Sequence, residues 1–177
     1  HKWLRGNTAL LCGANLLDAD LSRVKLSCAD LIRTNFWYAQ LKEATFYMSN
    51  LEGAEFWRAD LTAAKFHWAN MKETVLAGAK LQGADLTNAN LAGAILRGIS
   101  VNNQKFEFVC PDVSNTEWEI RKESLPEEAK PWQVEFDHNT TLPNGQKWNA
   151  EIDMRRFTCP DHPDFYTPKR DNQGMYP

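Results

Sequence analysis

A large apolar residue recurs at every fifth position of this chain, in the series Leu11, Leu16, Leu21, Leu26, Leu31, Phe36, Leu41, Phe46, Leu51, Phe56, Leu61, Phe66, Met71, Leu76, Leu81, Leu86, Leu91 and Leu96. A helix repeats its buried face every three to four residues and a half-buried strand every second one, so a period of five fits neither. Two residues before each member stands a smaller one, mostly Ala, with nothing bulkier than Val24. One large and one small residue per five, separated by mostly polar positions, require a chain that turns after each unit and directs both residues at a common axis. Such a unit cannot bury its apolar face alone, so the units must stack into a coil.

The stretch "GADLTNANLAGAIL" at 83–96 resembles the A-(D/N)-L-x-x unit of the pentapeptide-repeat family, and the resemblance runs in phase over residues 9–98. It implies an all-β solenoid, a right-handed quadrilateral β-helix of about four to five coils with four units per turn. Residues twenty apart then share a column, which puts Phe36 with Phe56 and Phe46 with Phe66 on opposite walls of the interior. At about 4.8 Å between neighbouring strands the rod is roughly 20 Å long. Burying each Leu or Phe should contribute about 1.5–3 kcal/mol.

The rule of small residues fails from Ile99 onward, with Ile99 and then Gln104 in the small positions, so the sequence divides into a repeat coil, 1–98, and an extension, 99–177, that holds all eight prolines. Within the extension "SNTEWEIRKES" at 114–124 reads as a short helix capped by Ser114 or Asn115. Pro143, Asn144 and Gly145 read as a tight turn between two short extended pieces, and the last residues as an extended strap. Phe106, Phe108, Trp118, Trp132, Phe136, Trp148, Phe157, Phe165 and Tyr166 need a surface to cover, so the extension is expected to cap the end of the coil and wrap its side. The segment 140–166 also resembles a C-terminal extension of some bacterial pentapeptide-repeat proteins, through Leu142, Pro143, Gly145, Trp148, Asp153, Met154, Phe157, Pro160, His162, Pro163 and Phe165. That likeness implies a bacterial origin and no activity.

A coil filled by Leu and Phe has no internal cavity, so function must lie on the outward positions. One wall carries Trp37, Trp57, Tyr38 and Arg58; the opposite wall carries Tyr47, His67 and Trp68. The other two hold an ordinary solvated mixture that includes Lys42, Glu52, Lys72 and Gln82. Contiguous apolar patches on a protein surface mark contacts, and Trp37, Trp57 and Trp68 are the expected anchors, either for a partner or for the chain's own aromatic extension.

Charge separates the remaining functions. The best-known activity in the resembling family, mimicry of DNA toward gyrase, requires a dense run of acids in place of phosphates. Residues 1–98 hold nine acids against eleven bases, and the whole chain has a formal net charge of −3. The bases are scattered over all four walls, so nucleic acid is not expected as a partner. None of the four histidines has a nucleophile at a recognisable spacing. Cys110, Cys159 and His162 have zinc-ligating chemistry, but their spacing matches no known framework; a Cys110–Cys159 disulfide and free thiols remain the alternatives. No metal or other cofactor is therefore expected. No segment is apolar enough to span a bilayer, no signal pattern opens the chain, and a cytoplasmic location is expected. The chain lacks an initial Met, which suits an N-terminus cut from a longer parent. The resulting expectation is a non-enzymatic interaction or scaffold module, associating with an unknown protein partner or with itself as a dimer. A DNA-mimic regulator of gyrase or topoisomerase is the alternative.

Overall fold

The structure, a computed structural model, describes residues 9–101, 105–109 and 129–168. From Leu11 onward the chain bends at every fifth residue through a turn in which the small residue donates its N–H to the large residue three positions earlier, as from Ala14 to Leu11 at 2.9 Å and from Ala94 to Leu91 at 2.9 Å. The third residue of each turn is left-handed at every corner from Gly13 to Gly93, with φ between 53° and 72°. A positive φ there is the mark of a type II turn. Twelve of these corners carry a residue other than glycine, each at an intrinsic cost of about 1–2 kcal/mol.

In eight of the units the residue before the large one is Asn or Asp and helps to hold the corner. The side-chain Oδ1 atoms of Asn15, Asp20, Asn35, Asn50, Asp60, Asn70, Asp85 and Asn90 accept the N–H two residues on, at 2.9–3.4 Å. Asn and Asp favour this local bond and tolerate the turn. Thus the D/N position of the repeat supplies a side-chain acceptor for the bend.

Each unit pairs with the unit twenty residues on, in parallel bridges such as Leu10 with Asp30, Asp30 with Asn50, Asn50 with Asn70 and Asn70 with Asn90. Twenty residues at five per side make a four-sided coil. Its interior is closed from Leu31 to Leu91 by large residues with almost no exposure. Phe36 stacks on Phe56 and Phe46 on Phe66, both at 4.9 Å between ring centres and within 2° of parallel. The two stacks meet edge to face at 6.1–6.3 Å. Both geometries suit the aromatic quadrupole. Leu11, Leu16 and Leu21, in the first coil, are only partly buried.

After Leu96 the chain leaves the coil as strand β1 (Arg97–Val101), which pairs antiparallel with β2 (Lys105–Val109) on one side and β3 (Ala129–Gln133) on the other. It then returns to the coil, where the sequence pattern shows no further repeat. Glu135 bridges Lys80 and Thr141 bridges Asp85, both in parallel, as a further unit would. Leu81 donates to Glu135, Leu86 to Thr141 and Asn88 to Pro143, at 2.7–2.8 Å. Val134 and Leu142 enter the core, and buried Thr140 takes the place of the small residue, donating its hydroxyl to Leu81 C=O at 2.7 Å.

Phe136 and Leu142 stand six residues apart, and Asp137 accommodates the extra residue. Its carboxylate accepts from the N–H groups of Gly83, Asn139 and Thr140 at 2.8–3.0 Å. Burial favours the protonated acid, but these bonds outweigh it and hold Asp137 down at about 2. The turn expected at Pro143–Gly145 is present, with Gly145 N–H bonded to Leu142 C=O and Gly145 left-handed. Farther on, Gly93 N–H reaches Thr158 C=O at the end of helix α1 (Arg155–Thr158), and Met154 and Phe157 join the core. The helix expected at 114–124 lies outside the described residues.

Candidate interaction surface

The two aromatic walls begin from the same arrangement, a ring at the position after the large residue in successive coils. On the first wall Trp37 and Trp57 sit 6.3 Å apart with their rings tilted by 44°. Trp57 has no exposed surface, which corrects the expectation of an accessible anchor. It packs in a side cluster with Val75 and Ala77, joined by Trp37, Tyr38 and Ile95. The cause lies one coil on: Ala77 occupies the next place in its column and leaves room for the indole against Val75. Trp37 is half-buried, and its Nε1 donates to Glu55 at 2.6 Å. Arg58, exposed, lies over the Tyr38 ring at 5.1 Å, a cation–π distance.

The opposite wall stays open. Tyr47 stacks on His67 at 5.8 Å and 12°, and His67 meets Trp68 edge to face at 5.8 Å. Tyr47 keeps 42% of its surface exposed, and His67 and Trp68 are half-buried. Half-buried Met48 and Cys28 lie in the Trp68 column. At the far end of that column Asn88 accepts from the Tyr166 hydroxyl at 3.3 Å, and Tyr166 packs on Phe157. The extension therefore reaches the end of this wall at Asn88.

The structure accordingly separates the seven candidate residues. Tyr47, His67 and Trp68 form one continuous aromatic surface; Trp37, Tyr38 and Arg58 edge a second; Trp57 lies beneath it. Glu55, the acceptor for Trp37, was not singled out in the sequence, where it reads only as a polar spacer. Its place in the same column as Val75 and Ile95 was the available signal.

The polar walls carry paired charges. Lys42 and Lys80 flank Asp60 at 3.4 and 3.9 Å, and Arg23 meets Glu43 at 3.3 Å. Burial works against the Asp60 carboxylate, but Thr62 and Lys42 outweigh it and lower its pKa. Opposed charges in one column break up any acidic run.

The described residues of the extension gather no ligand set. Cys159 is a free thiol; Cys110, the other member of the expected pair, lies outside the described residues. His162 Nε2 stands 3.6 Å from Asp153, whose pKa is lowered chiefly by hydrogen bonds from Arg155. Among the described residues no group of three or more metal-ligating side chains occurs, and no helix is long and apolar enough to cross a membrane.

A family model described as pentapeptide repeats matches residues 9–37, 39–76 and 69–103, in eight copies. Among solved structures the chain is similar to HetL, a pentapeptide repeat protein involved in heterocyst differentiation regulation in the cyanobacterium Nostoc sp. strain PCC 7120. The identity is 42% over 51% of this chain and 44% of that one, with a TM-score of 0.49. It is also similar to a pentapeptide repeat protein of the Arabidopsis thaliana thylakoid lumen, at 32% identity over 49% of this chain and 63% of that one, TM-score 0.43. A third, Rfr23 from the cyanobacterium Cyanothece 51142, is 23% identical over 76% of this chain and 60% of that one, TM-score 0.38. The chain spans less than two thirds of the length of each. No curated protein matches it.

Proposed function

This chain belongs to the pentapeptide-repeat family, and from that premise we propose that it is a non-enzymatic interaction module, a rigid right-handed β-helix that presents the Tyr47–His67–Trp68 wall to a protein partner. The observation that carries the reading is the stacked and exposed Tyr47, backed by His67 and Trp68 on a fully packed coil. Rigid aromatic rings contribute large contact area at little entropic cost when a partner covers them. The interior offers no alternative site, since Leu and Phe fill it.

The proposal includes the division into a coil of about four to five turns, 1–98, and an extension, 99–177, that caps and wraps it. The bonds from Leu81, Leu86 and Asn88 to the returning segment support the capping role. The gyrase-directed alternative receives less support, because Asp60 and Glu43 are paired with bases, which interrupts an acidic stripe among the described residues of the walls.

Affinity capture with the wild-type chain as bait, beside a Tyr47→Ser/Trp68→Ser variant of unchanged thermal midpoint, tests the reading. A protein retained by the wild type and lost by the variant is expected. Equal recovery with both baits would overturn it.

A further inference from the structure

The wall of Tyr47 and Trp68 carries two sulfur atoms beside its rings. Cys28, Met48, Trp68 and Asn88 hold the same corner position in successive coils, with φ of 59°, 54°, 62° and 58°. Cys28 N–H donates to Tyr47 C=O at 2.8 Å and Met48 N–H to His67 C=O at 3.1 Å, so these corners stack in register. Equal backbone conformation at equal positions makes the Cα–Cβ bonds of Cys28 and Met48 parallel, one strand spacing of about 4.8 Å apart. Columns of this coil keep nearly that spacing out to their side chains, with the phenylalanine stacks at 4.9 Å and the Tyr47–His67 stack at 5.8 Å. Both sulfur-bearing residues are half-buried, Cys28 is a free thiol, and among the described residues neither side chain makes a hydrogen bond.

We propose that Cys28 and Met48 form a binding site for a soft monovalent cation, Cu(I), held in line between the Cys28 thiolate and the Met48 thioether. The site lies apart from Cys110, Cys159 and His162, and it is independent of the interaction-module reading. Thiolate and thioether are soft donors that select Cu(I) over harder ions. At the length of a zinc–thiolate bond, two metal–sulfur bonds of about 2.3 Å in line span about 4.6 Å, which matches the offset between neighbouring coils.

Charge and coordination number narrow the ion. Binding releases the thiol proton, so Cu(I) and one thiolate together carry no net charge. A neutral unit suits a half-buried position, where an uncompensated charge is costly. A zinc ion would leave one positive charge on the same pair and would need two further ligands. Among the described residues no cluster of three thiol, imidazole or carboxylate groups occurs to supply them. His67 lies one coil beyond Met48, stacked on Tyr47 and edge to face with Trp68. Trp68 takes the next place in the column after Met48. An indole there suits the polarizable thioether, and its face attracts cations.

Anaerobic titration of Cu(I) into the 177-residue chain, in competition with a chromophoric Cu(I) chelator, tests the inference. The wild type should withdraw Cu(I) from the chelator. Met48→Leu conserves volume and keeps every thiol, and it should weaken this binding about tenfold; Cys28→Ser should weaken it further. Cys12→Ser, at an exposed thiol outside this column, should leave it unchanged. X-ray absorption at the copper edge, with one equivalent of Cu(I) bound, should show two sulfur neighbours and no nitrogen. Unchanged thermal midpoints of the metal-free variants check the fold, and Met48→Leu keeps the test decisive if Cys28→Ser unfolds. A wild type that withdraws no Cu(I) would overturn the proposal. So would Met48→Leu binding as tightly as the wild type, which would assign the ion to thiols alone, or a copper ion with nitrogen or additional sulfur neighbours.

Discussion

The wall of Trp37 and Trp57 and the wall of Tyr47 and Trp68 present the same sequence motif to the same kind of surface, yet one closes over its central ring and the other stays open. The difference comes from the coil beyond. Trp57 is followed in its column by Ala77 and settles against Val75, whereas Tyr47 is followed by His67 and stacks on it. An outward position in a solenoid thus becomes surface or interior according to the size of its neighbour twenty residues on.

The largest effect should come from breaking the closed wall. Trp57→Ala is expected to lower unfolding stability by about 3–5 kcal/mol in denaturant titrations, the cost of removing a buried indole. Tyr47→Ala should cost about 1 kcal/mol or less, as a partly exposed side chain. Equal losses from the two would erase the contrast. Filling the bed beside Trp57 should have the next largest effect: Ala77→Leu should destabilise by about 1–3 kcal/mol through overpacking and shift the tryptophan emission to the red.

Glu55→Gln tests what holds the edge of the closed wall. It removes the charge from the acceptor of Trp37 Nε1 and should cost about 1 kcal/mol; the same change at exposed Glu52 should cost less. The open wall ends where the extension meets it, so Tyr166→Phe should have the smallest effect, about 0.5 kcal/mol, through loss of the bond to Asn88. Acid should loosen the extension through Asp137. The Asp137 pKa lies at about 2, below its ordinary value of 3.8, so its stabilisation is complete above the ordinary range and disappears as pH falls toward 2. An acid titration of wild type against Asp137→Asn should show this loss only in the wild type.

Much of the coil was legible because a period of five requires a stacking coil, and the resemblance to pentapeptide repeats implies four units per turn, which sorts the eighteen large residues into columns. The column arithmetic anticipated both phenylalanine stacks. The corners were less legible, since Arg23, Tyr38, Trp68 and nine other residues adopt a left-handed conformation that glycine would have announced. The resumed coil at 134–143 was hidden by the six-residue interval between Phe136 and Leu142, which a fixed phase cannot follow. Its marker was chemical: Asp137 placed to accept the N–H groups of the bend, and Thr140 small enough for the interior and able to bond Leu81. Trp57 was misplaced because burial depended on Ala77 and Val75, residues too small to attract notice alone.

Hydroxyl-radical footprinting of the folded chain, read peptide by peptide, tests the contrast between the walls most directly. Tyr47 should be oxidised readily and Trp57 should be protected until the protein unfolds. Rapid oxidation of Trp57 in the folded chain, at a rate matching Tyr47, would contradict the account.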